Sequence, residues 1–322
     1  MTTLLLTEYE KPDDLAYYQA GLSAPGLTIL AAANEAEAID QAGGAEILVG
    51  KAQTITPALF RAAPSLRWIQ ALTTGTDPIE ALPLPDHLTV TSMRGIHGPQ
   101  MSELAILLML SLLRDFPRML ENQKEKNWRR WPQRLLAGRR CLIVGVGQIS
   151  ETLAARCAAF GMEVEGISDG RREAPGFAAL YPRAELPHAV SRADFVIVVV
   201  PYSPATRDLI DETVLRAMKP DAYLVNIARG RIVDERALRK ALEEKWIAGA
   251  ALDVFEHEPL PAEDPLWSAP NLILTPHIGG MSDRYAEQAL PVVKRNLEAY
   301  LGGKMGEMIN LVKKGSSGQW PR

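Results

Sequence analysis

Cys141-Leu142-Ile143-Val144-Gly145-Val146-Gly147-Gln148-Ile149-Ser150 is the stretch that decides the fold: an apolar run, a turn with two glycines, and the opening of a helix-like segment from Glu151 to Phe160. In that context Gly145 makes the tight turn and Gly147 lets backbone approach a pyrophosphate. The helix N-terminus, at Gln148 and Ile149, supplies N–H groups and a partial positive charge. Ser150 stands where a third glycine is usual, and its small side chain weakens the match only slightly. Gly145, Gly147, Gln148 and Ile149 are therefore candidate dinucleotide-binding residues. The bland alternative is an ordinary strand-to-helix turn.

Outward from this point, short apolar runs alternate with longer helix-like segments. On the N-terminal side they are Leu4 to Leu6, Leu27 to Ala31, Ile47 to Val49, Leu66 to Ala71 and Leu88 to Thr91. The second series comprises Cys141 to Val146, Met162 to Ile167, Phe195 to Val200, Ala222 to Ile227, Ala250 to Val254 and Leu272 to Leu274. Largely apolar strands separated by helices imply parallel sheets covered on both faces. The expected fold class is α/β, with two doubly wound parallel-sheet domains. Between the two series, Met101 to Leu120 has almost no polar face, so it is expected to be buried between domains or against a second subunit. Ala286 to Leu301 has helical periodicity and is expected to return the chain to the first domain. The expected division is residues 1–98 with 285–322 as a discontinuous substrate-binding domain, and 99–284 as the dinucleotide-binding domain. The tail from Lys313 to Gly318 is read as mobile.

The 322 residues, 47% of them hydrophobic, suffice for two cores of ordinary size. The 35 basic and 39 acidic side chains are mixed along the chain and sum to -4. No basic face for nucleic acid or anionic lipid is implied. Two cysteines, Cys141 and Cys157, suggest neither a disulfide framework nor a metal site, and reducing cytoplasm is the expected compartment. The N-terminus lacks a basic leader and the longest apolar stretch, Leu104 to Leu113, is too short for a bilayer, so no membrane partner is expected.

Three later islands carry chemistry: Asn226-Ile227-Ala228-Arg229-Gly230, Asp253-Val254-Phe255-Glu256-His257-Glu258-Pro259, and Leu274-Thr275-Pro276-His277-Ile278-Gly279-Gly280. Each places one capable side chain, Arg229, Glu258 or His277, just after a strand-like run, so all three can meet at one sheet edge. A carboxylate-binding cation, a proton-transfer imidazole and an acid to tune it are what reduction of a 2-keto acid needs. At the end of the strand after the glycine loop the chain reads Ile167-Ser168-Asp169-Gly170-Arg171-Arg172. If Ser168 holds the ribose position, no carboxylate repels a 2′-phosphate, Arg171 or Arg172 can bind one, and NADP is favoured. If the register slips by one, Asp169 is the acid and NAD is preferred.

These motifs, in this order, resemble the D-isomer-specific 2-hydroxyacid dehydrogenases, the group of glyoxylate/hydroxypyruvate reductases, D-lactate dehydrogenases and D-3-phosphoglycerate dehydrogenases. The likeness runs from about Ile47 to Leu311 and rests on the glycine loop, the arginine motif at 226–230, the acid motif from Ala251 to Pro259, and Thr275-Pro276-His277. It implies a Rossmann-type cofactor domain inserted in a flavodoxin-like substrate domain, with the site in the interdomain cleft; a homodimer is expected by default, through the apolar helix near Met101 to Leu120 and the segment after it. It implies that Arg229 pairs with the substrate carboxylate and polarises the keto oxygen, and that His277 donates the proton. Glu258 would then bond the imidazole and raise its pKa. Further cofactor-binding positions implied are Ala228, Asp253 near the nicotinamide carboxamide, and Pro201 and Thr206 of the loop Pro201-Tyr202-Ser203-Pro204-Ala205-Thr206, where backbone carries any contact. For Asp253 a core-facing structural role is the alternative, and His257 is the rival imidazole.

In the first domain Gln70-Ala71-Leu72-Thr73-Thr74-Gly75-Thr76-Asp77 resembles the family loop that cradles the substrate carboxylate, with Thr74 and Gly75 as the matching positions. Thr73 and Thr76 depart from its more usual glycines and would narrow or polarise the pocket. Arg94 to Pro99 resembles the hinge. Trp128 and Trp131 sit where relatives place an aromatic near substrate, but core or dimer packing is the preferred reading, and Lys51 faces either pocket or solvent. Glu258 disfavours formate dehydrogenases, which pair their histidine with glutamine, and Thr74 disfavours phosphite dehydrogenases, which carry lysine in that loop. The expected activity is reduction of a small 2-keto acid, of glyoxylate, hydroxypyruvate or pyruvate type, to its D-2-hydroxy acid. The alternative is a dinucleotide-sensing binding module resembling C-terminal binding proteins.

Overall fold

The computed structural model describes residues 1–313 and 315. In the N-terminal part the strands are β1 (Thr2–Thr7), β2 (Leu27–Ala32), β3 (Ile47–Gly50), β4 (Trp68–Ala71) and β5 (Thr89–Thr91). Next come β6 (Arg140–Val144), β7 (Glu163–Ile167), β8 (Ala179–Tyr181), β9 (Phe195–Val198), β10 (Tyr223–Asn226), β11 (Gly249–Leu252) and β12 (Leu272–Leu274), and finally β13 (Leu311–Lys313). The chain divides into two compact units, Met1–Ile96 with the segment from Ser282 onward, and His97–Met281. Both crossings lie slightly earlier in the chain than the sequence places them.

The first unit holds a sheet of order β13-β5-β4-β3-β1-β2, parallel except for β13, which runs antiparallel to β5. Apolar clusters cover both faces: Leu4, Leu6, Ile47, Val49 and Trp68 point one way, Leu5, Leu48, Ile69 and Val90 the other. The period-two alternation of strand side chains divides the same apolar runs between two cores. The helix Tyr285–Leu301 brings the chain back to this unit. Its buried Asn296 fixes the return: Nδ2 donates to Gln70 Oε1 at 2.8 Å, and Oδ1 accepts from the Ile309 N–H, also at 2.8 Å. A buried amide with both ends satisfied gives a register that apolar packing alone would leave loose.

The second unit holds a wholly parallel sheet of order β12-β11-β10-β9-β6-β7-β8. The chain winds outward one way through β6, β7 and β8, then restarts beside β6 with β9 and winds the other way. That reversal between β6 and β9 is the topological switch point at which such sheets bind ligands, beyond the carboxyl ends of the strands.

Two expectations need correction. The short strands β8 and β13 are not apparent as apolar runs; each is three residues long and half-buried, and the antiparallel partner of β13 supplies the order its own sequence does not. Lys313, placed in a mobile tail by sequence, belongs to β13, and the Gly315 N–H donates to Thr89 Oγ1 at 3.2 Å; Lys314 and Ser316 to Gly318 lie outside the described residues. The apolar helix is Gly98–Leu113; Met101, Ala105, Leu108 and Met109 pack into the second unit, while Leu107 is 56% exposed in the single chain. A second helix, Phe116–Lys124, follows, and beyond it Trp128 is 91% exposed, which removes core packing as its role. Both cysteines are buried and free. Among the described residues no helix is long and apolar enough to cross a membrane.

Candidate active site

Three neighbouring strands, β10, β11 and β12, deliver Arg229, Glu258 and His277 just past their carboxyl ends. The turn carrying Arg229 is set by Asn226, the fully buried last residue of β10. Its Oδ1 accepts from the Ala228 N–H at 3.0 Å, and its Nδ2 donates to the Arg229 carbonyl at 2.9 Å. A short amide folded onto its own following backbone stops the strand and fixes where the next side chain leaves it. Arg229 has extended backbone, is half-buried, and donates from one guanidinium nitrogen to the Ala228 carbonyl at 2.7 Å. Gly230 follows because the chain there runs against Phe255 and Glu256: a β-carbon at 230 would stand 1.9 Å from the Phe255 carbonyl carbon.

Glu258 bonds at both oxygens. Oε1 accepts from the Phe255 N–H at 2.9 Å, which holds its own loop, and Oε2 lies 2.6 Å from His277 Nδ1. Partial burial pushes the Glu258 carboxyl up, but the bonds from His277 and Phe255 and the charges of His277 and Arg229 outweigh it, and the group is held below its ordinary value. The imidazole so engaged is His277, and not its rival His257.

His277 sits in the left-handed region, with φ of 53°, a conformation uncommon for a non-glycine residue. The turn that holds it is gathered around Asp253. This buried carboxylate accepts from Thr275 Oγ1 at 2.6 Å and from the Ile278 N–H at 3.0 Å through Oδ1, and from the Gly279 N–H at 2.8 Å through Oδ2. Three donors from one turn converge on it, the turn that carries His277. Gly279 admits that approach, since a β-carbon there would lie 2.8 Å from Asp253 Oδ2.

On the other side of the switch point, Gly145 has φ of 101°, and a β-carbon on it would fall 2.6 Å from the Val200 backbone. Gly147 faces open space, so nothing obstructs backbone approach by a ligand at the N-terminus of the helix Gln148–Ala159. The arrangement fits a dinucleotide pyrophosphate by shape and by dipole. Ser150 is more than a small substitute for glycine: its buried hydroxyl donates to the Gly145 carbonyl at 2.6 Å and ties the loop to the helix. In Pro201 to Thr206 one side chain shapes the loop. The buried Thr206 hydroxyl accepts from the Ser203 N–H at 2.7 Å and donates to the Pro201 carbonyl at 2.9 Å, closing the loop on itself.

At the end of β7, Ser168 is the first residue beyond the strand, and its hydroxyl accepts from the Arg171 N–H at 3.0 Å. Asp169 turns to Arg183, accepting from its N–H at 2.9 Å and pairing with its guanidinium at 2.8 Å. Arg171 pairs with Glu151 at 2.5 Å, and Arg172 is exposed.

In the first unit, Thr74 Oγ1 donates to the Met93 carbonyl at 2.8 Å and Thr73 Oγ1 to the Gly75 carbonyl at 2.7 Å, while Thr76 bonds Glu80. The extra threonines are thus committed to shaping the loop rather than to polarising a pocket. Lys51 takes neither of the alternatives in simple form: its ammonium is held by buried Glu8 at 3.1 Å and by Glu10 at 2.7 Å. The guanidinium of Arg118 lies 4.6 Å from the centre of the Trp131 ring.

Sequence reasoning gave no role to Asn226, Thr275 or Glu151. Polar residues at predicted strand ends, two or three positions from a proposed site residue, were the available signal for the first two. Nothing in the sequence marks the Glu151–Arg171 pair, whose members are twenty residues apart.

The family model described as "D-isomer specific 2-hydroxyacid dehydrogenase, NAD binding domain" matches residues 106–279. A glyoxylate reductase of Thermococcus onnurineus is 36% identical over 287 residues, 82% of this chain and 83% of that one. Among solved structures, a D-isomer specific 2-hydroxyacid dehydrogenase family protein from Aeromonas salmonicida is 34% identical with a TM-score of 0.88, covering 97% of this chain and 98% of the other. An NADPH-dependent glyoxylate/hydroxypyruvate reductase from Sinorhizobium meliloti, in complex with NADP and sulfate, is 26% identical with a TM-score of 0.84 over 97% and 98% of the two chains.

Proposed function

This chain belongs to the D-isomer specific 2-hydroxyacid dehydrogenase family, and from that premise we propose that it reduces a small 2-keto acid of glyoxylate, hydroxypyruvate or pyruvate type to the D-2-hydroxy acid, with NADPH preferred over NADH. The observation that carries the reading is the 2.6 Å bond between Glu258 and His277, set on adjacent strand ends within electrostatic reach of Arg229.

With Nδ1 engaged by Glu258, the other ring nitrogen of His277 is the proton carrier. In reduction the imidazolium gives that proton to the keto oxygen, and in oxidation the neutral ring takes it back. When bound, the reduced nicotinamide supplies the hydride that completes the carbinol carbon. Arg229 binds the substrate carboxylate through its fork and draws charge from the keto oxygen. Thr74 and Gly75 are proposed to bind the same carboxylate. Gly145, Gly147, Gln148, Ile149, Pro201, Thr206 and Ala228 are proposed to border the dinucleotide, with Ser168, Arg171 and Arg172 at its ribose end. The NADPH preference is supported by Ser168 at the strand end and by Asp169, whose carboxylate is already paired with Arg183. A homodimer is supported by exposed apolar side chains at Leu107, Phe116, Leu120 and Trp128. Cytoplasm is the proposed compartment.

The test is loss of absorbance at the reduced-nicotinamide band, NADPH and NADH side by side, over glyoxylate, hydroxypyruvate, pyruvate and phenylpyruvate. Turnover on any of them supports the reductase reading. Tight dinucleotide binding without turnover on the whole panel supports a dinucleotide-sensing binding module instead.

A further inference from the structure

We propose that Glu151 is a specificity-determining residue for the cofactor: a competing anion that holds Arg171 in place and lowers the preference for a 2′-phosphorylated dinucleotide. The inference rests on the NADPH reading and deepens it. Glu151 lies in the first turn of the helix Gln148–Ala159, the helix whose N-terminus faces the open space above Gly147. Its Oε1 is 2.5 Å from a guanidinium nitrogen of Arg171, and both side chains keep roughly a third of their surface in solvent, 31% and 39%. Arg171 is anchored from below as well, because its own N–H donates to the Ser168 hydroxyl. Of the two arginines after β7, Arg171 therefore already has a carboxylate partner from the glycine-loop helix, while the Arg172 guanidinium donates to the Ser168 carbonyl at 3.4 Å.

Two consequences follow from charge. A 2′-phosphate carries a charge of about -1.5 to -2 and seeks the same forked donors that Glu151 occupies. To bind it, Arg171 must exchange or share its partner, and Glu151 then stands as a like charge beside the phosphate. NADH presents only a neutral hydroxyl there and meets neither cost. Opposing this, Glu151 keeps Arg171 from wandering, so its loss gives up some preorganisation. Because the pair is exposed, the ordering it provides is weak, and release of the competitor together with removal of like-charge repulsion should win. Asp169 does not substitute for Glu151 in this role, since its carboxylate is paired with Arg183.

The experiment is titration of Glu151→Gln, Arg171→Gln and wild-type protein with NADPH, NADH and 2′,5′-ADP by calorimetry, with thermal melts to establish that each variant is folded. Glu151→Gln should bind NADPH and 2′,5′-ADP about two- to five-fold more tightly, the worth of an exposed ion pair that no longer has to be broken, with NADH unchanged. Unchanged or weaker NADPH binding in a folded Glu151→Gln variant, or an equal change for NADH, overturns the inference. Arg171→Gln separates the two readings. If it weakens NADPH and spares NADH while Glu151→Gln has no effect, phosphate recognition by Arg171 stands and the role of Glu151 falls. If Arg171→Gln leaves both cofactors unchanged, the NADPH reading at this position fails and the inference fails with it.

Discussion

Gly230 and Phe255 approach so closely that a β-carbon on residue 230 would lie 1.9 Å from the Phe255 carbonyl carbon. The loop presenting Arg229 is thereby pressed against the loop presenting Glu258. The contact is with backbone, which cannot swing aside as a flexible side chain would. Gly230→Ala should therefore cost about 1–3 kcal/mol in overpacking and separate the two loops. Urea denaturation should show the loss, and turnover should fall further than stability alone accounts for. A variant with wild-type midpoint and turnover would show that the two loops are not coupled.

Asp253→Asn tests positioning against cofactor contact. The amide keeps the shape but loses one acceptor, so one of the donors from Thr275, Ile278 and Gly279 is left facing an N–H in a buried site. An unsatisfied buried donor costs about 1–3 kcal/mol. The expected outcome is a less stable protein with lower kcat and nearly unchanged dinucleotide affinity. Weakened dinucleotide binding with unchanged stability would return Asp253 to the nicotinamide.

Proton and carboxylate roles separate kinetically. His277→Ala should lower kcat by about 10²–10⁴-fold, the usual weight of a general acid, while dinucleotide affinity holds. Arg229→Lys should raise KM for the keto acid as well as lower kcat, because a single ammonium cannot replace a fork. Steady-state kinetics together with fluorescence titration of the reduced dinucleotide distinguish the two patterns, and full turnover in the histidine variant would remove His277 from the mechanism.

The acid limb of stability should carry the mark of Glu258. Its carboxyl is held below the ordinary value in the folded protein, so the unfolded chain takes up the proton first as pH falls. That contribution is present in full above the unfolded glutamate value and is lost as pH falls through the folded one, a window opening at about pH 5 and extending downward. Glu258→Gln should be less stable near neutrality and show a shallower loss across that window, read from urea midpoints at stepped pH. Parallel curves for the two proteins would mean the bond with His277 contributes nothing to folding.

Strands, order of motifs and the glycine turn were legible because each is a local pattern: an apolar run, its length, and the residues that end it. The strands β8 and β13 were not, since three half-buried residues carry no period of their own and are ordered by a neighbour. Asp253 was ambiguous for a related reason. A carboxylate after a strand reads the same whether it faces a ligand or, as here, gathers three donors from a turn that begins 22 residues later.

By itself the sequence determined which side chains stand at strand ends and therefore which chemistry the chain can hold, because strand, turn and helix are set over a few residues at a time. Only the tertiary structure decided which of those groups are spent on one another: Asp253 on the turn of His277, Thr206 on its own loop, Lys51 on Glu8 and Glu10, Arg171 on Glu151. Partners in such bonds are chosen by distance in space, and spacing along the chain does not encode it.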